Sequence, residues 1–208
     1  MPSRHVVREY SPESYYHIYN RGVAKQTIFH DDQDKCKFLR LLERHLDPND
    51  ETKKVDGTVY RKYNEGIELL SYCIMGNHFH LLVYSAGEIV VVPSFMRAVL
   101  TAYTMYYNKK YKRVGGLFQG VFKASRITDD AYLTHISRYI HLNPRRYLTY
   151  RFSSLGFYFD RAKKPAWLNP KRIEELFKDK ADYVKFLEDY EEHKIMLETL
   201  KYELADLY

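Results

Sequence analysis

Residues 67–84 read IELLSYCIMGNHFHLLVY. Ile67–Met75 is almost continuously apolar, the pattern of a strand covered on both faces. Gly76-Asn77 is a glycine-first, two-residue signal for a tight hairpin turn, and His78–Tyr84 returns as a second strand. Alternate side chains on a strand share a face, so His78 and His80 point the same way and Phe79 points into the opposite layer. At a separation of about 6–7 Å along the backbone, two imidazoles can converge on one metal ion. A His-x-His pair also arises by chance, with both rings simply packed or hydrogen-bonded. Here the pair follows a tight turn in an otherwise apolar hairpin, where two polar rings need partners.

Outward from the hairpin, the element types alternate. Tyr15–Asn20 is β-rich and ends at the Arg21-Gly22 turn signal. Asp32–Leu46 carries Cys36, Leu39, Leu42 and Leu46 at helical spacing behind acidic residues, which predicts a helix. Residues 47–66 are polar, with Pro48 and Gly57, and predict a long exposed loop. Pro93 suits the first turn of a helix bearing Phe95, Met96, Val99, Ala102, Tyr103 and Tyr106. After Gly115-Gly116, residues Leu117–Ile127 are expected to form another strand. Asp129 and Asp130 open a helix that runs to Asn143 and stops before Pro144. The order strand, helix, strand, strand, helix, strand predicts an α+β fold. It is a ferredoxin-like split βαβ sandwich with an antiparallel sheet, an added tyrosine-bearing helix and a C-terminal helical tail. Residues 1–165 are expected to form one domain, with 166–208 as its helical extension.

The second chemically suggestive stretch is Arg138-Tyr139-Ile140-His141-Leu142-Asn143-Pro144. Tyr139 and Asn143 are four apart and share a helical face. An Asn carbonyl oxygen suits a hard divalent ion as a third ligand, and a Tyr one turn away could place its oxygen at a metal-bound phosphate. The alternative is an ordinary helix end, with Asn143 as a cap and Tyr139 as packing. Tyr132 lies seven residues before Tyr139 on the same face, whereas His141 points away from it.

Charge and aromatic content favour a polyanionic partner. The net charge is +6, but residues 1–170 hold 26 Lys/Arg against 16 Asp/Glu, and the acidic remainder holds 7 against 11. A basic body suits nucleic acid, because cations that neutralise phosphates release condensed counterions. The 21 tyrosines add rings that stack on bases and also donate hydrogen bonds. Between Asn108 and Arg126, Lys109, Lys110, Lys112, Arg113, Lys123 and Arg126 alternate with Tyr111, Phe118 and Phe122, a composition for backbone contact plus stacking. Arg145, Arg146 and Arg151 continue the basic character. The alternative for all of these is a solvated basic face. No run of about 18 apolar residues predicts a membrane span. The charged start, and Cys36 and Cys73 far apart without a CxxC, lead us to expect a reduced, cytoplasmic protein, associated with the nucleoid if it binds DNA.

The hairpin YCIMGNHFHLLV and the helix end SRYIHLNPRR resemble the single-tyrosine HUH transposases, the IS200-like group, and in particular the REP-associated tyrosine transposases. HIYNRG near the start, GGLFQGVFKA in the middle and YRFSSLGFY after the helix resemble the same group, so the matching pieces span about residues 14–160. Gly76 stands where members commonly have Pro, and Val121 where they commonly have Arg, which removes one basic contact. The resemblance implies His78 and His80 as metal ligands, Asn143 as a third polar ligand (Gln in some relatives) and Tyr139 as the nucleophile. It implies Mg²⁺ or Mn²⁺ as cofactor, with imidazole ligands favouring Mn²⁺. It also implies single-stranded or hairpin DNA as partner and a monomer or homodimer as the working form. Two other readings keep the same residues: a domesticated hairpin-DNA-binding protein with little or no catalysis, and a metal-dependent hydrolase that uses water in place of Tyr139.

Overall fold

A computed structural model describes residues 10–189. Four strands form one antiparallel sheet: β1 (Ser14–Arg21), β2 (Ile67–Ile74), β3 (His78–Ser85) and β4 (Lys123–Ile127), in the spatial order β2-β3-β1-β4. Helices α1 (Asp32–Leu46) and α2 (Val91–Lys110) alternate with them in the chain, and α3 (Asp130–Leu142) follows β4. Short helices α4 (Leu155–Tyr158), α5 (Lys171–Glu174) and α6 (Lys180–Glu188) complete the described chain. This is the ferredoxin-like arrangement with an added helix that the alternation predicts.

Two of the three long helices, α1 and α3, start where an acidic side chain satisfies an orphan backbone donor, whereas α2 begins after Val90 with no side-chain cap. Asp31 accepts from the Asp34 amide at the start of α1, and Asp129 accepts from the Tyr132 amide at the start of α3. Because side chains alternate along the strands, the sheet carries two separate apolar layers. On one face Phe29, Phe38, Phe79, Phe95, Val99 and Tyr103 join α1 and α2 to the sheet. On the other, Leu133, Ile136, Tyr139 and Ile140 of α3 pack against Tyr19, Cys73 and Leu82. The outer edge of β2 is covered rather than left as a free pairing template. Leu168 bridges Leu69, the Asn169 amide donates to the Leu69 carbonyl at 2.8 Å, and Arg172 pairs with Glu68 at 2.8 Å. Ile173, Tyr183 and Leu187 bring α5 and α6 onto the layer of α3. Residues 1–9 and the expected acidic helical tail beyond Asp189 lie outside the described residues.

Two local expectations need correction. The strand expected over Leu117–Ile127 begins only at Lys123. Gly120 adopts a φ of +70°, which breaks the extended run, and the stretch before it attaches to the end of β1 and the turn after it by single contacts: the Gln119 amide on the Arg21 carbonyl at 2.8 Å and the Val23 amide on the Leu117 carbonyl at 3.0 Å. The hairpin turn at Gly76 is also not of the glycine-first kind, since Gly76 is absent from the residues with positive φ. A side chain added there would meet nothing within 4 Å, so the glycine is not required for space either. The turn is instead pinned from outside, because the amides of Ile28 and Phe29 both donate to the Gly76 carbonyl at 2.9 Å. Among the described residues no helix is long and apolar enough to cross a membrane.

Candidate active site

The register of β1 against β3 builds the site. Tyr19 pairs with His80, Arg21 with His78 and His17 with Leu82, so all six side chains face the same side of the sheet. Helix α3 covers that side. The Tyr139 ring stands edge-on to His80 with centroids 5.2 Å apart, and 5.9 Å from that of His17. At the end of α3, Asn143 occupies the C-cap position and its Oδ1 lies 3.2 Å from His78 Nε2. The His78 and His80 rings are 5.0 Å apart, while Phe79 is buried in the opposite layer. The four residues expected to act together therefore do meet.

The hydrogen bonds around the two histidines are incomplete in an informative way. His78 Nδ1 lies 2.6 Å from Asn77 Oδ1, and its Nε2 faces Asn143 Oδ1. Both partners are carbonyl oxygens, and a neutral imidazole has one N–H, so the ring satisfies only one of them as a donor. Burial pushes the His78 pKa down to about 4, against the hydrogen bond with Asn143 and with help from the nearby Arg21 charge. The ring is therefore neutral near pH 7, and one of its nitrogens presents a lone pair. His80 is fully buried, its Nδ1 lies 2.9 Å from His17 Nε2, and its Nε2 has no partner. Burial holds His80 well below its ordinary range and brings His17 down to about 3.

Among the described residues, no three His, Cys, Asp or Glu side chains cluster closely enough to hold an ion. The set available for a cation is two imidazoles and the Asn143 amide. These groups fit a divalent ion chemically, because the partnerless His80 Nε2 and the facing His78 Nε2 and Asn143 Oδ1 are lone-pair donors.

His17 and Arg21 were not singled out in the sequence. HIYNRG offered them only as part of a resemblance, and nothing in one strand reveals which residues of a second strand will face it. His141 lies away from the site, as its helical position predicts, with Nδ1 2.7 Å from Tyr183 Oη and Nε2 2.8 Å from Ser154 Oγ.

The basic residues separate. Lys123 pairs with Tyr19 and so belongs to the face of the site, whereas Arg126 pairs with Tyr16 and belongs to the other face. Lys109 in the last turn of α2 and Lys112 just past it are exposed, and Arg145 and Arg146 are exposed just past Asn143. Lys110 is drawn inward, with Nζ 2.7 Å from both Asp31 and Asp34, and Arg113 lies over the Tyr107 ring. The Phe118 ring packs edge-on to Phe79, 6.1 Å away, so it serves the core rather than forming an open stacking platform.

The buried histidines predict a marked acid sensitivity. His17, His78 and His80 at the site, His141 at about 3, and His45 all have values lowered chiefly by burial. A ring depressed in the folded state contributes stability that is present above its unfolded value, about 6.5, and lost as the pH falls. The slope approaches about 1.4 kcal/mol per pH unit for each ring. The melting temperature is expected to fall steeply between pH 7 and 5. Asp31, held low mainly by its hydrogen bond from Lys110, protonates only at more acidic pH. A melting temperature that stays flat from pH 7 to 5 would contradict the neutral burial of these rings.

A sequence model of the IS200-like transposases matches residues 12–143. Among solved structures, one of a REP-associated tyrosine transposase bound to a REP hairpin matches with a TM-score of 0.52 and 13% identity, over 78% of this chain and 89% of that one. A protein of Deinococcus radiodurans R1, provisionally assigned as a transposase, matches with a TM-score of 0.38 and 17% identity, over 64% of this chain and 90% of that one. No functionally curated protein matches the sequence. At 13% identity, the likeness to the REP-associated tyrosine transposase is one of fold.

Proposed function

Because the chain belongs to the IS200-like transposase family, we propose that it cuts and rejoins single-stranded DNA beside a folded hairpin, with Tyr139 as the nucleophile. The observation that carries this reading is the convergence of Tyr139, His78, His80 and Asn143 on one face of the sheet. The hairpin is carried over from the structural relative, which is bound to one, and the basic body of this chain suits such a partner.

Tyr139 Oη attacks the scissile phosphorus, a Tyr–O–P bond forms, and the P–O3′ bond breaks. The phenolic proton leaves Tyr139, and the departing 3′ oxygen gains a proton. The 5′ phosphate stays on the protein, and the phosphotyrosine bond keeps the energy of the broken linkage. A 3′-OH from another strand can then attack the same phosphorus and release Tyr139, which gives strand transfer without ATP. A free phenol has a pKa near about 10, so position matters more than prior ionisation. Tyr139 is only 1% exposed, so DNA entry requires a movement that uncovers its ring. His78, His80 and Asn143 would hold a divalent ion, Mg²⁺ or Mn²⁺. When bound, it supplies Lewis-acid polarisation of a non-bridging phosphate oxygen. His17 fixes the orientation of His80 through their 2.9 Å contact, so that Nε2 is the nitrogen presented to the site.

The test uses single strands containing a hairpin, labelled at the 3′ end because the protein retains the downstream fragment. With Mn²⁺ the labelled fragment is expected to migrate with the protein through denaturing electrophoresis, and with EDTA it is not. Cut DNA free of protein would indicate a hydrolase that uses water. Tight binding without any cut would indicate a hairpin-binding protein that has lost catalysis.

A further inference from the structure

We propose that Arg21 is a binding residue for the phosphate at this site, holding the DNA backbone beside His78 by charge and by the free edge of its guanidinium. The inference rests on the single-strand reading above, and it adds a residue to which neither motif points. Arg21 ends β1 directly opposite His78 and on the same face. It is 8% exposed, yet among the described residues no carboxylate pairs with it. Its Nε donates to Gln119 Oε1 at 2.5 Å, and its Nη1 is enclosed without a partner.

The guanidinium is a cation, so this is a largely buried charge with no counter-ion among the described residues and with an unfilled donor. Such a group is costly to a folded protein unless something negative completes it. Its neighbours on this face of the sheet, Tyr19 and His78, include no carboxylate that could do so.

The backbone around Arg21 is fixed in a way that suits a preorganised donor. Its amide donates to Asn20 Oδ1 at 2.9 Å, and its carbonyl accepts from the Gln119 amide at 2.8 Å. At the next residue, Gly22, an added Cβ would stand 2.3 Å from the Gln26 carbonyl oxygen, so the chain turns sharply there and cannot shift easily. With Nε committed to Gln119, the remaining edge of the guanidinium is what a phosphate would meet.

The experiment measures binding, not cleavage, in full-length protein carrying Tyr139→Phe, with EDTA present. The DNA is the single-stranded hairpin, unmodified or with one neutral methylphosphonate placed in turn at each linkage around the cut. Arg21→Gln is expected to weaken binding of unmodified DNA about tenfold, as for loss of a charge-assisted hydrogen bond. That loss should disappear when the methylphosphonate is at the scissile linkage or the one beside it, because the charge Arg21 recognises is then already gone. A loss that is the same for every modified strand, or no loss at all, would overturn the proposal and leave Arg21 as a brace for the loop at Gln119. If Arg21→Gln fails to fold, Arg21→Lys, which keeps the charge but not the fork, is measured against the same strands and should show a smaller loss with the same position dependence. Because no bond is cut, a coupling confined to these linkages would stand even if wild-type protein formed no covalent adduct. That second result would instead remove the role of Tyr139.

Discussion

Tyr139→Phe is expected to reduce covalent attachment of DNA to an undetectable level while leaving the fold and hairpin binding in place. The substitution removes one oxygen and keeps the ring that packs edge-on to His80 and lies in the α3 layer with Leu133, Ile136 and Ile140. Loss of the hydroxyl costs roughly 1 kcal/mol of stability, the net worth of a typical hydrogen bond, so a folded protein should remain. No other hydroxyl on α3 shares a turn with Asn143, so none replaces the lost oxygen. Tyr19 faces the same side, with its ring 6.1 Å from that of His80, but it is carried by the sheet and not by the helix that bears Asn143. Adduct yield on a 3′-labelled strand with Mn²⁺, hairpin affinity and a melting curve together check the expectation. An active Tyr139→Phe protein would contradict it.

Removing either histidine is expected to have an effect of similar size on cleavage, but different effects on the fold. His78→Ala takes away a partly exposed ring whose two partners are Asn77 and Asn143. Cleavage should be lost, with a melting temperature close to that of the wild type. His80→Ala removes a fully buried ring, opens a cavity between the sheet and α3, and strands His17 Nε2. It should lose cleavage and also about 2–3 kcal/mol of stability, from the cavity and the unsatisfied polar group together. Hairpin affinity should change little in either variant. Cleavage at the wild-type rate by either variant in Mg²⁺ would show that these rings do not hold the ion. Equal melting temperatures for the two would contradict the buried His17–His80 contact.

How much of this was legible in the sequence depends on the range of the interaction involved. The bounds of α1, Asp32–Leu46, agree with its apolar spacing and acidic start because both signals are local. The common face of His78 and His80 follows from strand periodicity, and the separation of Tyr139 from His141 follows from helical periodicity. That Tyr139 would land over His80, and Asn143 beside His78, depends on α3 packing across β3, so only the two halves of the arrangement could be read. His17 and Arg21 went unnoticed because their importance comes from a strand register linking positions about sixty residues apart, which no local pattern specifies.

The basic stretch shows the opposite error. It is continuous in sequence, but folding distributes it. Lys110 is claimed by Asp31 and Asp34, Phe118 by the core, and Lys123 and Arg126 by opposite faces of the sheet. Composition registered the charge but not which charges would already have partners. The overlong strand at Leu117–Ile127 had a similar cause, since apolar and aromatic residues suggested extension until the positive φ of Gly120 intervened.

The central claim is that the DNA becomes joined to Tyr139, and the most direct measurement is peptide mapping of the covalent adduct. Geometry of the isolated helix does not choose between Tyr132 and Tyr139, which lie seven residues apart on one face. Asn143 makes the choice. It reaches His78 at 3.2 Å from a point one turn beyond Tyr139, but three turns beyond Tyr132, about 16 Å along the axis. Wild-type protein trapped on a single-stranded hairpin with Mn²⁺, digested with protease and nuclease, should yield one modified peptide carrying a residual nucleotide phosphate on Tyr139. The same modification on Tyr132 would contradict the account, and would remove Asn143 from the site with it.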